Sequence, residues 1–302
     1  MSDLVLVTGG AGFIGSCLAE RLLARGYRVR VLDNLIYGNA EWVPSAAEFI
    51  RGDITDPPTC KRACAGVSGV FHAAAMSRAA PSLEAIGACT QNNIVGTQNV
   101  LEAARAAGVR KLVYSGSSTY YGNQPGPHLE DMRPDFLNFY ALSKYVGEEY
   151  CGLFDRALGL PTVVLRYFNV YGPRQPETGA YALVLGVFLR RWRDGQPLEI
   201  HGGGEQRRDF IHVRDIADCN IAAHESSVRS AVFNAGSGTN ISVRELANLI
   251  SPNQTAGPRR AGDAQVTLAD ISRTTATLGW CPRISFAEGL EELKRLIRST
   301  PE

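Results

Sequence analysis

The chain opens with a short apolar run that leads directly into closely spaced glycines. Residues 4–8, LVLVT, predict a buried strand, and the segment TGGAGFIG then places Gly9, Gly12 and Gly15 three residues apart before an apolar pattern of helical period. In a strand, turn and helix of this kind, the missing side chains let a diphosphate approach backbone N–H groups at the positive end of the helix. A plain tight turn would carry the same glycines, so a second signal is needed.

That second signal is an acidic residue at the end of the next strand. The run VRVLD, residues 29–33, ends at Asp33, where a carboxylate can accept hydrogen bonds from the hydroxyl groups of an adenosine ribose. The same negative charge repels a phosphate on the 2′ position of that ribose. The sequence therefore predicts a dinucleotide site and favours NAD over NADP.

Further apolar runs repeat the buried-strand pattern. They occupy residues 69–74, 111–116 and 162–168, and helical periodicity lies between several of them, notably at 94–108 and 139–154. Alternating strands and helices predict an α/β fold with a doubly wound parallel sheet, the Rossmann arrangement.

The pattern changes after Phe168, where the turn-rich segment NVYGPRQPETG begins. A chain of 302 residues is also long for a single core. We expect an NAD-binding Rossmann domain over residues 1–168, to which a segment near 207–240 returns. Residues 169–302 are expected to form a second, smaller α/β domain for the substrate.

Composition excludes several classes of partner. The chain has 31 Lys and Arg against 30 Asp and Glu, so its net charge of +1 gives no overall attraction to nucleic acid or to a membrane surface. No run of about 18 apolar residues occurs. Seven cysteines without a CxxC pair indicate neither a disulfide framework nor a zinc site, and we predict no metal site. We expect a cytoplasmic protein.

Two segments in the middle of the chain carry candidate chemistry. In FYALSK, Tyr140 and Lys144 are four residues apart and share one helical face. On its own this pair is more often a half-buried tyrosine beside a solvated lysine. The hydroxyl-rich segment VYSGSSTYYG, residues 113–122, includes Ser117 and follows a nucleotide-binding pattern, which favours a reaction at a nicotinamide.

Together these motifs resemble those of the extended short-chain dehydrogenases/reductases, and specifically the nucleotide-sugar epimerases and dehydratases typified by UDP-galactose 4-epimerase. The similarity extends over nearly the whole chain. Besides TGGAGFIG, the matching stretches are GDI, HAAA, NNIVGT, SSTYYG, YALSK, RYFNVYGPRQ, RRDFIHVRD, NAGSG and RAGD, with LADIS and LGW behind them.

The resemblance implies a role for each matching residue. The catalytic residues would be Ser117, Tyr140 and Lys144. The residues implied to bind NAD are Gly9, Gly12, Phe13, Ile14, Gly15, Asp33, Asn34, Asp53, Ile54, Ala74, Asn93, Tyr140, Lys144 and Tyr167. Those implied to bind the nucleotide sugar are Ser117, Asn169, Arg208, Arg260, Asp263 and Thr267. A homodimer through the helices around Asn99 and Tyr145 is implied by the family alone.

The implied chemistry is a transient oxidation of the sugar. Tyr140, as a phenolate, takes the proton of a sugar hydroxyl while the hydride on that carbon passes to NAD⁺, and Ser117 holds the same oxygen. An ordinary tyrosine has a pKa of about 10, so work near neutrality requires a shift of roughly three units, or about 4 kcal/mol. A protonated Lys144 at about 6 Å supplies on the order of 2.8 kcal/mol at an effective dielectric near 20, and the charge of the oxidised nicotinamide supplies the rest.

The residues beside Ser117 bear on which reaction follows. Dehydratases and decarboxylases of this family typically place Asp or Glu just after the catalytic hydroxyl, whereas Ser118, Thr119 and Tyr120 stand here. Without that acid, the expected outcome is a UDP-sugar 4-epimerase. A dehydratase or 4-ketoreductase of the same fold and a non-catalytic dinucleotide-binding protein stay open as alternatives. Whether UDP is the carrier, and which pathway is served, are also open.

Pocket size gives an expectation about the sugar. In the resembling epimerases, a tyrosine at the position of Thr267 restricts the enzyme to plain glucose and galactose, whereas a small residue leaves space for an N-acetyl group. Thr267 is small, and Gly116 is expected to remove further bulk from the floor of the pocket. We therefore expect UDP-GlcNAc and UDP-GalNAc to be accepted, alongside UDP-Glc and UDP-Gal.

Overall fold

The computed structural model describes residues 3–77, 79–179, 182–258 and 264–299. Its strands are β1 (Leu4–Thr8), β2 (Arg28–Asp33), β3 (Glu48–Arg51), β4 (Gly69–His72), β5 (Lys111–Ser117), β6 (Thr162–Tyr167), β7 (Asn169–Tyr171), β8 (Leu198–His201), β9 (Arg207–Arg208), β10 (Phe210–His212), β11 (Ala231–Ala235), β12 (Ile241–Ser242) and β13 (Gln254–Gly257). Its helices are α1 (Phe13–Ala24), α2 (Pro57–Cys64), α3 (Ala79–Glu84), α4 (Ile86–Thr90), α5 (Gly96–Ala106), α6 (Phe139–Leu158), α7 (Val184–Arg193), α8 (Val213–Glu225), α9 (Val243–Ile250), α10 (Ser272–Leu278) and α11 (Phe286–Ser299).

A seven-stranded parallel sheet forms the centre of the molecule, in the order β11–β6–β5–β4–β1–β2–β3. Alternate side chains of each strand pack on opposite faces, as the period of a strand requires. In β1, Val5 and Val7 pack in the core cluster that contains Leu18 of α1, whereas Leu6 packs in the cluster that contains Leu101 of α5. The doubly wound α/β fold predicted from the sequence is therefore confirmed.

The segment after β10 adds to this central sheet. Helix α8 packs against α1, and β11 pairs in parallel with β6 at the edge of the sheet. This segment lies within residues 207–240, which the sequence predicted to return to the Rossmann domain. The predicted boundary at residue 168 and the extents of the two domains stay predictions.

A smaller α/β unit follows from the second half of the chain. Three two-stranded pairs, β7 with β10, β9 with β12 and β8 with β13, accompany helices α7, α9 and α11. They surround a separate core that includes Phe188, Leu198, Leu246 and Leu290.

Helix boundaries differ from the sequence pattern at two places. Periodicity predicts one helix over 94–108, but α5 is preceded by a π-helical turn at Gln91–Val95 in which the Asn93 side chain bonds to the backbone of Met76. Helix α6 runs four residues past the predicted end and stops where Gly159 adopts a left-handed conformation with φ of 76°. Within the described ranges, no helix is long and apolar enough to cross a membrane.

Candidate active site

A cleft of about 970 Å³ lies at the carboxyl ends of the central strands. Its walls include the glycine turn after β1, the end of β5, the first turns of α6, and Asn169, Arg208 and Thr267 from the second half of the chain. Ligands of doubly wound sheets bind at this edge. The fold thus brings most of the predicted dinucleotide and substrate residues to one cavity.

The glycine turn is shaped to receive a diphosphate. Gly12 is the N-cap of α1 and has no side chain to satisfy the first N–H groups of the helix. An ideal Cβ on Gly15 would lie only 2.1 Å from the carbonyl oxygen of Gly9, so only glycine lets the helix approach the turn this closely. Phe13 and Ile14 complete this end of the cleft. These N–H groups fit the pyrophosphate of a dinucleotide.

Asp33 and Asn34 line the ribose end of the cleft. Asp33 Oδ2 accepts a hydrogen bond from the N–H of Ala11 at 3.0 Å, and Oδ1 accepts one from Leu35 at 2.8 Å, which fixes the carboxylate and leaves further lone pairs for ribose hydroxyls. Asn34 Nδ2 donates to Asp53 Oδ2 at 2.7 Å. Burial favours a higher pKa for Asp53, but hydrogen bonds from Thr55 and Asn34 lower its pKa below the ordinary value.

Two residues implied to bind the cofactor differ in burial, since Asp53 is partly exposed and Asn93 is buried. Asp53 and Asn93 are absent from the described lining of the cleft, although their neighbours Ile54 and Asn92 are part of it. Asn93 is 1% exposed and donates through Nδ2 to the carbonyl of Met76 and to Ser143 Oγ. Asp53 bonds to Asn34, which lines the cleft, and a role for either residue in binding the cofactor stays a prediction. Ala74 and Tyr167 line the cleft directly, and the hydroxyl of Tyr167 bonds with Ser115 and Asn220.

The catalytic candidates meet from two elements. Ser117 ends β5, and its Oγ lies 2.8 Å from Thr119 Oγ1, in the short 3₁₀ turn Ser118–Tyr121. Tyr140 and Lys144 lie on successive turns at the start of α6, whose N-cap Asn138 accepts a hydrogen bond from Ala141 N. All three candidates line the cleft. Thr119 is therefore in direct contact with the proposed catalytic hydroxyl.

Burial weakens the charge expected on Lys144. Its ammonium group lies 4.1 Å from the centre of the Tyr114 ring, and desolvation lowers the pKa of Lys144 to about 7, against smaller opposing effects of Cys151, Cys89 and Glu148. Burial therefore disfavours the charged form of this lysine. The stabilisation of a Tyr140 phenolate that is expected from the sequence requires a protonated Lys144.

The substrate end contains a fixed pair of polar side chains. Asn169 Nδ2 donates to the carbonyl of Asp209 and to Thr267 Oγ1, each at 3.0 Å, so its carbonyl oxygen is the group left for a ligand. Thr267 Oγ1 also accepts from Asp209 N at 3.0 Å, which leaves its hydroxyl hydrogen to donate. Together they offer one acceptor and one donor at the wall of the cleft.

The two consecutive arginines of β9 differ in their position relative to the cleft. Arg208 lines the cleft, while Arg207 donates through Nε to Asn240 Oδ1 at 2.8 Å and pairs with Glu245 outside it. Arg260 and Asp263 lie outside the described residues. The cleft is also lined by Phe188 and Arg191 of α7, which were not predicted from the sequence. Their only signal was position on an amphipathic helix, which does not reveal which face meets a ligand.

Gly116 lies in the lining of the cleft and in close contact with β6. An ideal Cβ there would lie 3.0 Å from the carbonyl oxygen of Leu165 and 3.0 Å from Cγ1 of Val164, both in β6. A side chain would meet the neighbouring strand first. The glycine thus lets β5 pack closely on β6, and the expected widening of the pocket floor stays a prediction.

The cleft and its residues define a class of protein. The glycine turn fits a dinucleotide and lies in the same cleft as a serine, a tyrosine and a lysine. This arrangement is that of a short-chain dehydrogenase/reductase. Residues 5–236 match the profile of the NAD dependent epimerase/dehydratase family, and the chain belongs to that family. Its cofactor is accordingly NAD, and the glycine turn and Asp33 fit this cofactor.

Individual relatives are similar over almost the full chain. UDP-glucose 4-epimerase of Mycolicibacterium smegmatis is 36% identical over 308 residues, covering 97% of this chain and 98% of the relative. The crystal structure of UDP-glucose 4-epimerase from Thermotoga maritima with UDP-glucose superimposes with a TM-score of 0.94 at 35% identity, covering 98% of both chains. UDP-N-acetylglucosamine 4-epimerase from Methanobrevibacter ruminantium M1, in complex with UDP-N-acetylmuramic acid, has a TM-score of 0.94 at 33% identity and 99% coverage of both.

Proposed function

We propose that the protein is an NAD-dependent UDP-sugar 4-epimerase that acts through a transient 4-keto sugar. When bound, NAD supplies the hydride acceptor and donor. Tyr140 takes the proton from the sugar hydroxyl and later returns it, Ser117 holds the oxygen, and Lys144 stabilises the phenolate. The relatives described above support UDP as the carrier.

One observation favours epimerisation over elimination or decarboxylation. Among the described residues that line the cleft, the only carboxylates are Asp33, at the ribose end, and Glu199, on β8 of the smaller unit. No described carboxylate in the lining accompanies Ser117 and Thr119. A dehydratase needs a further proton donor and acceptor there, whereas an epimerase needs only that the keto sugar turn over.

The test is incubation of the purified protein with UDP-Glc, UDP-Gal, UDP-GlcNAc and UDP-GalNAc, without added cofactor, followed by separation of the epimers. Interconversion within a pair supports the proposal. Release of an altered sugar indicates a dehydratase, and dependence on added NAD(P)H indicates a 4-ketoreductase. Binding of NAD without any turnover indicates a non-catalytic protein.

The lowered pKa of Lys144 predicts the shape of the pH profile. When the pair of Tyr140 and Lys144 loses one proton, the result is either a phenolate beside an ammonium or a neutral phenol beside a neutral amine. These two states contain the same number of protons, so the two residues titrate as a pair. The first proton leaves at or below the individual pKa of Lys144, which is about 7. We expect kcat/KM to rise with pH through an apparent pKa at or below that value, as measured by initial rates.

Lys144→Met removes the charge and should move this ascending limb upward, toward the value of roughly 10 for an ordinary tyrosine. The variant should also hold NAD more weakly, because Lys144 is assigned a contact with the cofactor. An unchanged limb would show that Lys144 takes no part in the titration.

We further propose that the sugar pocket accepts N-acetylated substrates. The donor of Thr267 and the acceptor of Asn169 can complement either an acetamido group or a hydroxyl, and Thr267 itself is small. Thr267→Tyr should selectively abolish activity on UDP-GlcNAc and UDP-GalNAc while UDP-Glc and UDP-Gal still react, because the added ring excludes the larger substituent. Steady-state kinetics on all four substrates measure this.

The control is Thr267→Val, which keeps the size of the side chain and removes the hydrogen bonds to Asn169 and Asp209. It should impair all four substrates without the steric selectivity. An equal loss on all four substrates in Thr267→Tyr would show that Thr267 is structural and that the pocket is bounded elsewhere.

A homodimer and a cytoplasmic location stay predictions. Helix α6 exposes Phe139, Leu142 and Leu153, with 41%, 40% and 50% of their surface accessible, which suits an interface on this helix. Asn99, in contrast, is buried and donates to the carbonyl of Ile54 within the same chain. The molar mass in solution decides between monomer and dimer.

A further inference from the structure

A buried ion pair lies directly behind the catalytic residues. Arg166 of β6 pairs in register with Gly116, the residue before Ser117, and Glu148 follows Lys144 by one helical turn on the same face of α6. Their side chains are 3% and 8% exposed. Neither residue is part of the described lining of the cleft, so neither is placed to touch a substrate or cofactor.

One edge of the Arg166 guanidinium forms hydrogen bonds with α6, the helix that carries Tyr140. Nε donates to Glu148 Oε2 at 3.0 Å and Nη2 donates to Glu148 Oε1 at 2.6 Å, a two-pronged contact that fixes orientation as well as distance. Such a pair cannot rotate or slide without losing a hydrogen bond. It ties α6 to β6 one turn away from Lys144.

The remaining side of the guanidinium contacts the turn that follows Ser117. Nη1 donates to the hydroxyl of Tyr121 at 2.9 Å and to the carbonyl of Glu130 at 3.1 Å, and the guanidinium carbon lies 3.6 Å from the centre of the Tyr120 ring. Tyr120 and Tyr121 belong to the 3₁₀ turn that Ser117 caps. One side chain therefore connects the element that carries Ser117 to the element that carries Tyr140.

The network continues to the wall of the substrate end. Tyr121 donates to Asn234 Oδ1 at 2.6 Å, and Asn234 Nδ2 donates to the carbonyls of His128 and Asp270 at 2.8 and 3.1 Å. Asp270 is three residues from Thr267. Because each of these buried polar groups has a partner, the network is rigid rather than a source of strain.

Ser117 and Tyr140 must meet the same substrate oxygen, although they belong to different elements. Proton transfer depends steeply on that geometry, since a displacement of about 1 Å can cost about 10²-fold in rate. Ring packing of Tyr120 against Tyr145, at 5.5 Å between centres, also joins the turn to α6, but such packing is less directional than hydrogen bonds.

We propose that Arg166 and Glu148 are positioning residues that hold Ser117 in register with Tyr140, and that they act on the chemical step without contacting substrate. This inference rests on the proposed epimerase function.

The first test is Glu148→Gln, which keeps the shape of the side chain and removes the charge. We expect kcat to fall by about 10- to 100-fold, with the KM for the sugar nucleotide and the amount of bound NAD close to wild type. The matched control is Asp155→Asn on the same helix. Asp155 is also buried, and it accepts from Arg229 and from Thr162 N, but it lies at the far end of α6. Its kcat should remain at the wild-type value below the unfolding temperature.

The second test is a double-mutant cycle with Ser117→Ala. If the pair acts by placing Ser117, Glu148→Gln should cause little further loss of kcat once the Ser117 hydroxyl is gone. Tyr121→Phe provides an independent variant, because it removes the hydrogen bond of Arg166 to the turn and leaves both the ion pair and the contact with the Tyr120 ring intact. It should show a smaller fall in kcat with KM unchanged.

Each outcome decides the inference. A wild-type kcat in folded Glu148→Gln overturns it, as does a loss that is fully additive with Ser117→Ala. Should Glu148→Gln fail to fold, the double-mutant cycle of Tyr121→Phe with Ser117→Ala decides instead, because Tyr121 itself lines the cleft and its kcat alone does not separate the two roles. A wild-type protein without epimerase activity refutes the proposed function, and with it this inference, whereas an active wild type beside unaffected variants refutes the inference alone.

Discussion

Tyr140→Phe is expected to lower kcat by about 10³-fold or more while NAD stays bound, because the change deletes the proton acceptor and almost no volume. The hydroxyl of Ser117 remains to bind the sugar oxygen but has no base beside it. The measurement combines kcat on the preferred UDP-hexose with the NAD content of the purified variant.

Tyr150→Phe is the matched control for this prediction. Tyr150 lies on the same helix, packs against the core on that face of the sheet and is not in the described cleft lining. Its variant should keep wild-type kcat. Substantial activity in Tyr140→Phe would remove Tyr140 from the mechanism.

Gly15→Ala is expected to abolish NAD binding and, with it, activity. The new Cβ would lie 2.1 Å from the carbonyl oxygen of Gly9, and both the turn and the helix would have to move because the contact is with backbone. The N–H groups at the start of α1 would then lose the position that suits a pyrophosphate. NAD content after purification and titration with added NAD measure the effect.

Gly87→Ala in α4 is the control for this substitution. Among the described residues, apart from its chain neighbours and the backbone of its own helix, no atom lies within 4 Å of an ideal Cβ at Gly87, so alanine has space there and favours the helix. The variant should bind NAD as the wild type does. Normal NAD affinity in a folded Gly15→Ala protein would contradict the assignment of this turn.

Local patterns predicted those parts of the site that local structure builds. The turn after β1 and the helical face shared by Tyr140 and Lys144 depend only on residues close in sequence, and both lie in the cleft. The contact of Asn169 with Thr267 joins residues 98 positions apart. Their alignment with the family placed both near the substrate, but no spacing rule predicts that the two side chains hold each other.

Burial is the property that sequence patterns described least well. The charge of Lys144 depends on how completely α6 and β5 exclude water from its ammonium group, and the helical spacing to Tyr140 carries no information about that. The same holds for Asn93, whose motif matched the family although its side chain is buried and bonds to the backbone of Met76. The role of Arg166 depends on β6, α6 and the turn after Ser117 meeting at one point, which only the assembled fold provides.

The central claim is that hydride leaves C4 of the sugar and returns to the same carbon within one binding site. The most direct test uses the preferred UDP-hexose labelled with deuterium at C4, incubated with the protein in ordinary water without added cofactor. Mass spectrometry and NMR of the separated epimer then locate the label. Deuterium retained at C4 of the product is the result that we predict, and hydrogen from water at C4 would contradict the mechanism.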